Sequence, residues 1–321
     1  MKRSILIVTL AILMLFSGCC YAPGYAGNKA ADRLYGAVPT MEGLYQPTPE
    51  NVPPETTEWE AIPVETIFIP PEMPVEEPDV FVNVQEYIPD IYVELRYATV
   101  NNFVGQVMYD STAVYLRYGT VAKLMEVQQA LRLQGLSLKI WDAFRPASAQ
   151  HKLWAAKPDP EFVANPQTGF SNHTRGNTVD VTLVDKDGNE LVMPCDFDDF
   201  TEKADRDYSD CSAEEKKNVT LLEDLMQNHG FNGYESEWWH FVDSDSYPVD
   251  EYFDPAAISE WYADCNEFIN IRKEPNVQAQ AIGQIPKDGR MTLLGWSGKM
   301  AYIKYGDVYG FVNGDYINRV E

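Results

Sequence analysis

Ser171-Asn172-His173-Thr174-Arg175-Gly176-Asn177-Thr178-Val179-Asp180 sets a histidine and an aspartate seven residues apart, with Gly176 between them to free the backbone. Farther along, Glu237-Trp238-Trp239-His240 adds a second imidazole and a carboxylate. His173, Asp180 and His240 together make three N/O ligands with an open fourth position for water, and Glu237 is a spare carboxylate beside them. Mixed imidazole and carboxylate donors suit Zn²⁺ better than Mg²⁺ or Ca²⁺, which want oxygen alone. The chain has only four histidines, and two of them lie in these stretches. Glu237 and His240 stand at i and i+3, which share a face on a helix. Two adjacent Trp followed by Phe241-Val242 favour a strand end or turn instead, so the spacing leaves that geometry open.

Outward from these stretches, strand-like and helix-like segments alternate. Ile91 to Tyr97 has the β-branched and aromatic content of a strand. Val121, Leu124, Met125, Gln128 and Leu131 predict an amphipathic helix over Thr120 to Leu133, ended by Gly135. Leu136 to Ile140 reads as a strand leading into Trp141-Asp142-Ala143-Phe144-Arg145-Pro146, and a second helix runs from about Ser148 to Ala156. Val179 to Val184 is a strand closed by the turn Asp185-Lys186-Asp187-Gly188. Ser212 and Glu215 form a capping box for a third helix to Asn228, and His229-Gly230 stops it. Phe231 to Val242 returns to the sheet. Few helices among hairpin-spaced strands predict an α+β domain with a mostly antiparallel sheet, over residues 80–257.

The N-terminal end predicts where the chain works. Lys2-Arg3, an apolar run from Ile5 to Phe16 and Ser17-Gly18-Cys19 make a secretory signal over residues 1–19. The run is shorter than the roughly 20 apolar residues of a membrane span. Ser17-Gly18-Cys19 resembles the lipobox of bacterial lipoproteins, which implies that Cys19 is lipidated and that the chain is an extracytoplasmic, membrane-anchored protein of the cell envelope. Ordinary secretion and an uncleaved anchor are the other readings, and both also place the working domains outside the cytoplasm. Residues 20–79 are rich in Pro and Glu. Between Met41 and Asp79 there are ten Asp or Glu and no Lys or Arg, the composition of an extended tether. A net charge of −24 argues against nucleic-acid partners. Cys195 and Cys211 would close a short disulfide loop in an exported chain, and with Cys265 making three, at least one thiol stays free.

The Ser-x-His-x-x-Gly-x-x-x-Asp stretch, Trp141 to Pro146 and the Glu-x-x-His ending together resemble the VanX-type D-alanyl-D-alanine dipeptidases, within the zinc D,D-peptidases. The similarity continues through Tyr97-Ala98-Thr99, Asn102-Phe103, Gly105, Phe197-Asp198 and Gly230-Phe231. It implies one Zn²⁺ on His173, Asp180 and His240, and Glu237 as general base toward the attacking water. It implies Arg145 as the group stabilising the tetrahedral oxyanion, a permanent charge that needs no proton transfer. Ser171 and Asp198 would hold the carboxylate and ammonium ends of the dipeptide, the latter because a buried ammonium needs a counter-charge. Thr174 and Thr178 depart from the Ser and Ala usual in the family. Residues 199–207 lack the His pair often found there, which leaves the pocket rim open. Outside the resemblance, Arg145 reads equally as a surface partner of Asp142, and Ser171 as a turn residue.

Residues 261–321 change character again. Ile269-Asn270-Ile271-Arg272, Ile282 to Ile285, Tyr302 to Tyr305, Gly310 to Val312 and Tyr316-Ile317 are short strands, with turns at Asp288-Gly289 and Ser297-Gly298. The pattern is similar to bacterial SH3-like (SH3b) domains, small all-β barrels that often bind cell-wall peptides or glycan, with Phe311 at a position where that family has Trp; a purely structural appendage is the other reading. The expected activity is zinc-dependent hydrolysis of D-Ala-D-Ala near the cell wall. A D,D-carboxypeptidase or endopeptidase acting on peptidoglycan stem peptides is the alternative, and a non-catalytic wall-binding lipoprotein is the reading from another class.

Overall fold

In the computed structural model, which describes residues 74–160 and 162–320, the described residues belong to one compact unit. The signal over 1–19, with Cys19, and most of the tether over 20–79 lie outside the described residues. Elements follow in the order β1 (Phe81–Asn83), α1 (Val84–Tyr87), β2 (Tyr92–Val93), β3 (Tyr115–Arg117), α2 (Tyr118–Arg132), β4 (Leu136–Asp142) and α3 (Ala147–Ala156). Next come β5 (Thr178–Asp185), α4 (Ala213–Asn228), β6 (Phe231–Tyr234) and β7 (Glu237–Asp243). The sheet order β2-β4-β5-β7-β6 has one parallel pair, β2 with β4, and is otherwise antiparallel. This is a mixed α+β domain.

Local chemistry accounts for the element ends. Ser212 accepts from the Glu215 amide while the Glu215 side chain accepts from the Ser212 amide, so both reciprocal bonds of the capping box form at α4. Gly135 and Gly230 take positive φ where α2 and α4 end, a conformation that suits a residue without Cβ. The predicted strand over Ile91 to Tyr97 is shorter than expected. It pairs for two residues at the sheet edge, then Arg96–Ala98 winds into a 3₁₀ turn, with the Tyr97 carbonyl accepting from the Met108 amide. Val121, Leu124, Val127 and Leu131 of α2 share one core with Val219, Leu222 and Met226 of α4 and with the alternating Val179, Val181 and Leu183 of β5. Because β5 alternates, Asp180 lies on its other face.

The C-terminal region is all-β: β8 (Ser259–Ala263), β9 (Phe268–Arg272), β10 (Ala281–Pro286), β11 (Arg290–Ser297), β12 (Met300–Tyr305), β13 (Val308–Asn313) and β14 (Ile317–Arg319). Its order is β10-β9-β13-β12-β11-β8-β14. Two strands absent from the sequence reading, β11 and β8, lie between β12 and the edge strand β14, and Tyr316 belongs to a 3₁₀ turn rather than a strand. The region does not hang free of the domain before it. Phe253 stacks on Phe81 at 4.1 Å and meets Phe144 edge-on at 5.1 Å, and Leu294 of β11 joins them in one buried cluster. A Cβ on Gly295 would overlap the Tyr252 carbonyl, so glycine is what lets the linker press against β11. Phe144 precedes Arg145, which places this seam directly behind a candidate site residue.

Candidate metal centre and its cleft

Sheet register assembles the centre. Asp142 on β4 pairs across to Asp180 on β5, and Asp180 pairs across to His240 on β7, so three acidic or imidazole side chains form one row over three strands. His173 reaches this row from a 3₁₀ turn, Asn172–Arg175, capped by Ser171, whose hydroxyl accepts from the His173 amide at 3.3 Å. Gly176 ends the turn at φ +75°, and a Cβ there would overlap Phe81, so both conformation and packing demand glycine.

One ligand atom from each of His173, Asp180 and His240 lies within 4.8 Å of the others, which fits a three-ligand metal site. Asp180 Oδ1 is 2.9 Å from His240 Nδ1, and its Oδ2 is 3.3 Å from His173 Nε2. His173 Nδ1 is 2.7 Å from the Ala143 carbonyl, so it donates there and the neutral ring presents the Nε2 lone pair to the centre. Burial pulls the His173 imidazole down, but the Asp180 carboxylate outweighs it and leaves the pKa raised. Burial pushes Asp180 up, and the two imidazoles more than reverse this, holding it well below the usual carboxylate range.

Glu237 Oε2 lies 3.5 Å from His240 Nδ1. Residues three apart on a regular strand face opposite ways. Here the register breaks: Gly233 pairs with Phe241, yet the next residue, Tyr234, pairs with Glu237. That bulge is what turns Glu237 and His240 to the same side. Burial raises the Glu237 pKa.

Arg145 is paired with Asp142, but not at the surface. Asp142 is fully buried, and both Nε and Nη2 of Arg145 donate to its Oδ2, at 2.9 and 2.6 Å. Asp142 also accepts from Tyr109 Oη at 2.8 Å, and Arg145 Nη1 donates to Gln150 Oε1 at 3.1 Å. Of the guanidinium's five N–H donors, this leaves one on each terminal nitrogen for the cleft. Burial lowers the Arg145 pKa and Asp142 raises it further, so the charge is permanent.

Asp198 has φ +58°, the left-handed region that Asp and Asn visit more readily than most residues. Its Oδ1 accepts from Tyr97 Oη at 3.1 Å, while its buried Oδ2 has no hydrogen-bond partner. Burial, with the Asp180 charge adding to it, pushes its pKa up to about 8.

Arg145, Ser171, His173, Asp180, Asp198, Glu237 and His240 all line one cleft of about 310 Å³. The structure thus brings every candidate residue of the domain together, while Cys19 lies outside the described residues. Sequence reasoning missed the supporting groups Tyr109, Gln150 and Arg206, and took Asp142 only as a surface partner of Arg145. Asp142 stood in a quoted motif and its burial was the lacking signal; nothing local marks Arg206. The expected short disulfide loop is not formed. Cys195, Cys211 and Cys265 are free thiols, and Cys195 Sγ instead accepts from Trp238 Nε1 at 3.3 Å.

Residues 78–258 match the M15 peptidase family model described as D-ala-D-ala dipeptidase. The chain is 38% identical over 163 residues to a D-alanyl-D-alanine dipeptidase of Escherichia coli (strain K12), covering 50% of this chain and 84% of that one. It is 29% identical over 194 residues to a D-alanyl-D-alanine dipeptidase of Enterococcus faecium, covering 54% and 96%. A third, from Streptomyces coelicolor, is 27% identical over 194 residues, covering 54% and 96%. The strands β8 to β14 lie beyond the family match.

Proposed function

As a member of the M15 family of D-Ala-D-Ala dipeptidases this chain is a metallopeptidase, and we propose that its cleft hydrolyses D-alanyl-D-alanine to two D-alanines with one Zn²⁺ bound. The observation that carries the substrate assignment is Asp198. Asp198 lines the cleft and carries a buried oxygen without a partner; alone it keeps its proton at neutral pH, and a cation brought beside it would draw it into the charged form. The free ammonium of a dipeptide is such a cation; the blocked amine of a stem peptide is not. A cleft of about 310 Å³ also sits at the small end of ligand pockets, which run from roughly 300 to 1,000 Å³.

His173, Asp180 and His240 would hold the metal, and the donor chemistry fits Zn²⁺. When bound, Zn²⁺ supplies a Lewis acid that polarises the scissile carbonyl and acidifies the attacking water. Glu237 takes the proton released in the attack and returns it to the leaving amine; its upward shift brings it closer to neutral pH, where a general base works best. The two free N–H groups of Arg145 stabilise the charge that develops on the carbonyl oxygen, and Asp142 with Gln150 holds the guanidinium in that orientation. The Ser171 hydroxyl holds the dipeptide's carboxylate.

For location and partners we propose export through the signal at residues 1–19, lipid attachment at Cys19, the tether of residues 20–79, and wall binding by an SH3b-like domain at 261–321. The sequence patterns there support this reading. The deciding experiment follows D-Ala release from D-Ala-D-Ala and from a D-Ala-D-Ala-ended pentapeptide, with the Zn²⁺-loaded protein and Glu237→Ala as control. Cleavage of the dipeptide alone, lost in the variant, is expected. Release from the pentapeptide would move the activity to stem-peptide trimming and remove the role given to Asp198.

A further inference from the structure

We infer that Arg206 is a positioning residue that locks the bulged hairpin carrying Glu237 and His240; the inference rests on those two acting as base and metal ligand. Arg206 lies in a loop outside the hairpin, yet its side chain is only 6% exposed. Its Nη2 stands 3.1, 3.1 and 2.9 Å from the carbonyl oxygens of Glu237, Trp238 and His240, and its Nε donates to the Tyr234 carbonyl at 2.8 Å. Its own amide donates to the Glu235 carbonyl at 3.1 Å.

The register break explains why these acceptors need a donor from elsewhere. One step along β6, Gly233 to Tyr234, matches four along β7, Phe241 to Glu237. The bulge that turns Glu237 to the side of His240 therefore deprives the residues between of a regular ladder on that edge. A buried carbonyl left without a donor is costly, and a planar fork with five N–H groups can serve several at once. The fork lies flat on Gly233: a Cβ there would overlap Arg206 Cζ and stand 2.6 Å from Nε and 2.7 Å from Nη1. On its other sides the guanidinium meets the Phe241 ring at 4.5 Å and ion-pairs through Nη1 with Glu223 of α4 at 3.3 Å. The hairpin is thereby fastened to α4, and Gly233 is part of the fastening. Arg206, within the stretch 199–207 whose content left the pocket rim open, thus acts from outside the cleft lining.

The test uses the full chain with Zn²⁺ and three variants, Arg206→Met, Arg206→Lys and Gly233→Ala; the last keeps the arginine but displaces it. Measured are the Zn²⁺ dissociation constant by chelator competition, amide hydrogen exchange over 237–241 without metal, and kcat and KM for D-Ala-D-Ala. Each variant is expected to bind Zn²⁺ about 10- to 100-fold more weakly, the range for groups that orient metal ligands. Exchange over 237–241 speeds up, and kcat falls while KM changes by less than about 3-fold, since the substrate-holding groups are elsewhere. Lysine does not rescue, because a point charge cannot reach the spread of carbonyls, whereas in a fourth variant, Arg206→Ala, added guanidinium restores Zn²⁺ binding. Unchanged Zn²⁺ affinity and exchange in any variant that melts cooperatively overturns the inference. Failure of all to fold also overturns it, because Arg206 would then serve the fold as a whole. If the parent lacks dipeptidase activity while the variants still lose Zn²⁺, the proposed substrate falls and the positioning role stands.

Discussion

Replacing Asp198 by Asn should make the metal-free protein more stable and the enzyme worse. Burial and the neighbouring Asp180 charge lift the Asp198 carboxyl from 3.8 to about 8 in the folded chain. The sign follows from linkage: between pH 4 and 8 the folded protein keeps a proton that the unfolded chain has released. Stability from this group is therefore complete below about pH 4 and declines through that window until the folded pKa is passed. Each pH unit is worth about 1.36 kcal/mol, so at pH 7 the parent has lost about 4 kcal/mol that an asparagine, neutral in both states, does not lose. The swap otherwise changes little. Oδ1 still accepts from Tyr97, the second polar atom is as unpartnered as before, and Asn tolerates the φ of +58°. The assay is urea unfolding of parent and Asp198→Asn in chelator from pH 4 to 8. The variant should gain nothing at pH 4 and about 4 kcal/mol at pH 7, a melting shift of roughly 8–16 °C for a chain of this size. The same substitution removes the ammonium's partner, so KM for D-Ala-D-Ala should rise about 30-fold or more, as when one member of a buried charge pair is lost. Unfolding free energies that run parallel across the pH range would refute the reasoning, since Asp198 would then titrate alike in both states.

Three other predictions follow from the same geometry. Glu237→Ala should lower kcat by about 10²- to 10⁴-fold while Zn²⁺ stoichiometry, read by atomic absorption, stays at the parent value, because Glu237 is not a ligand. Arg145→Lys should cost about 2.7–4 kcal/mol of transition-state stabilisation in kcat/KM, since an ammonium cannot keep both Asp142 and Gln150 while pointing a donor at the cleft. Phe253→Ala should lose about 3–5 kcal/mol in chemical denaturation and lower kcat as well, because its ring supports Phe144, the neighbour of Arg145; an effect on stability with kcat unchanged would separate the seam from the site.

Much of the fold was legible because its signals are local. The periodicity of α2, the Ser212–Glu215 box and the glycines that end helices each rest on a few adjacent residues, and the elements form close to where those residues predict. The short strand β2 misled because its β-rich composition says nothing about how many partners an edge strand finds. In the C-terminal region β8 escaped notice because its place is decided by pairing with β11 and β14, far along the chain, whereas β11 also forms a local hairpin with β12.

What the sequence determined by itself is the chemistry: which imidazoles and carboxylates are available, their order, and Gly176 in the turn that returns His173 toward Asp180. What only tertiary structure decided is their convergence. The row Asp142–Asp180–His240 exists because three strands pair in one register. Glu237 joins it because a bulge breaks that register, and Arg206 satisfies the carbonyls the bulge leaves behind. Asp142 became a buried anchor for Arg145 rather than a surface partner for the same reason. Register, bulges and burial depend on which distant segments meet and exclude water, and local residue patterns carry no record of that.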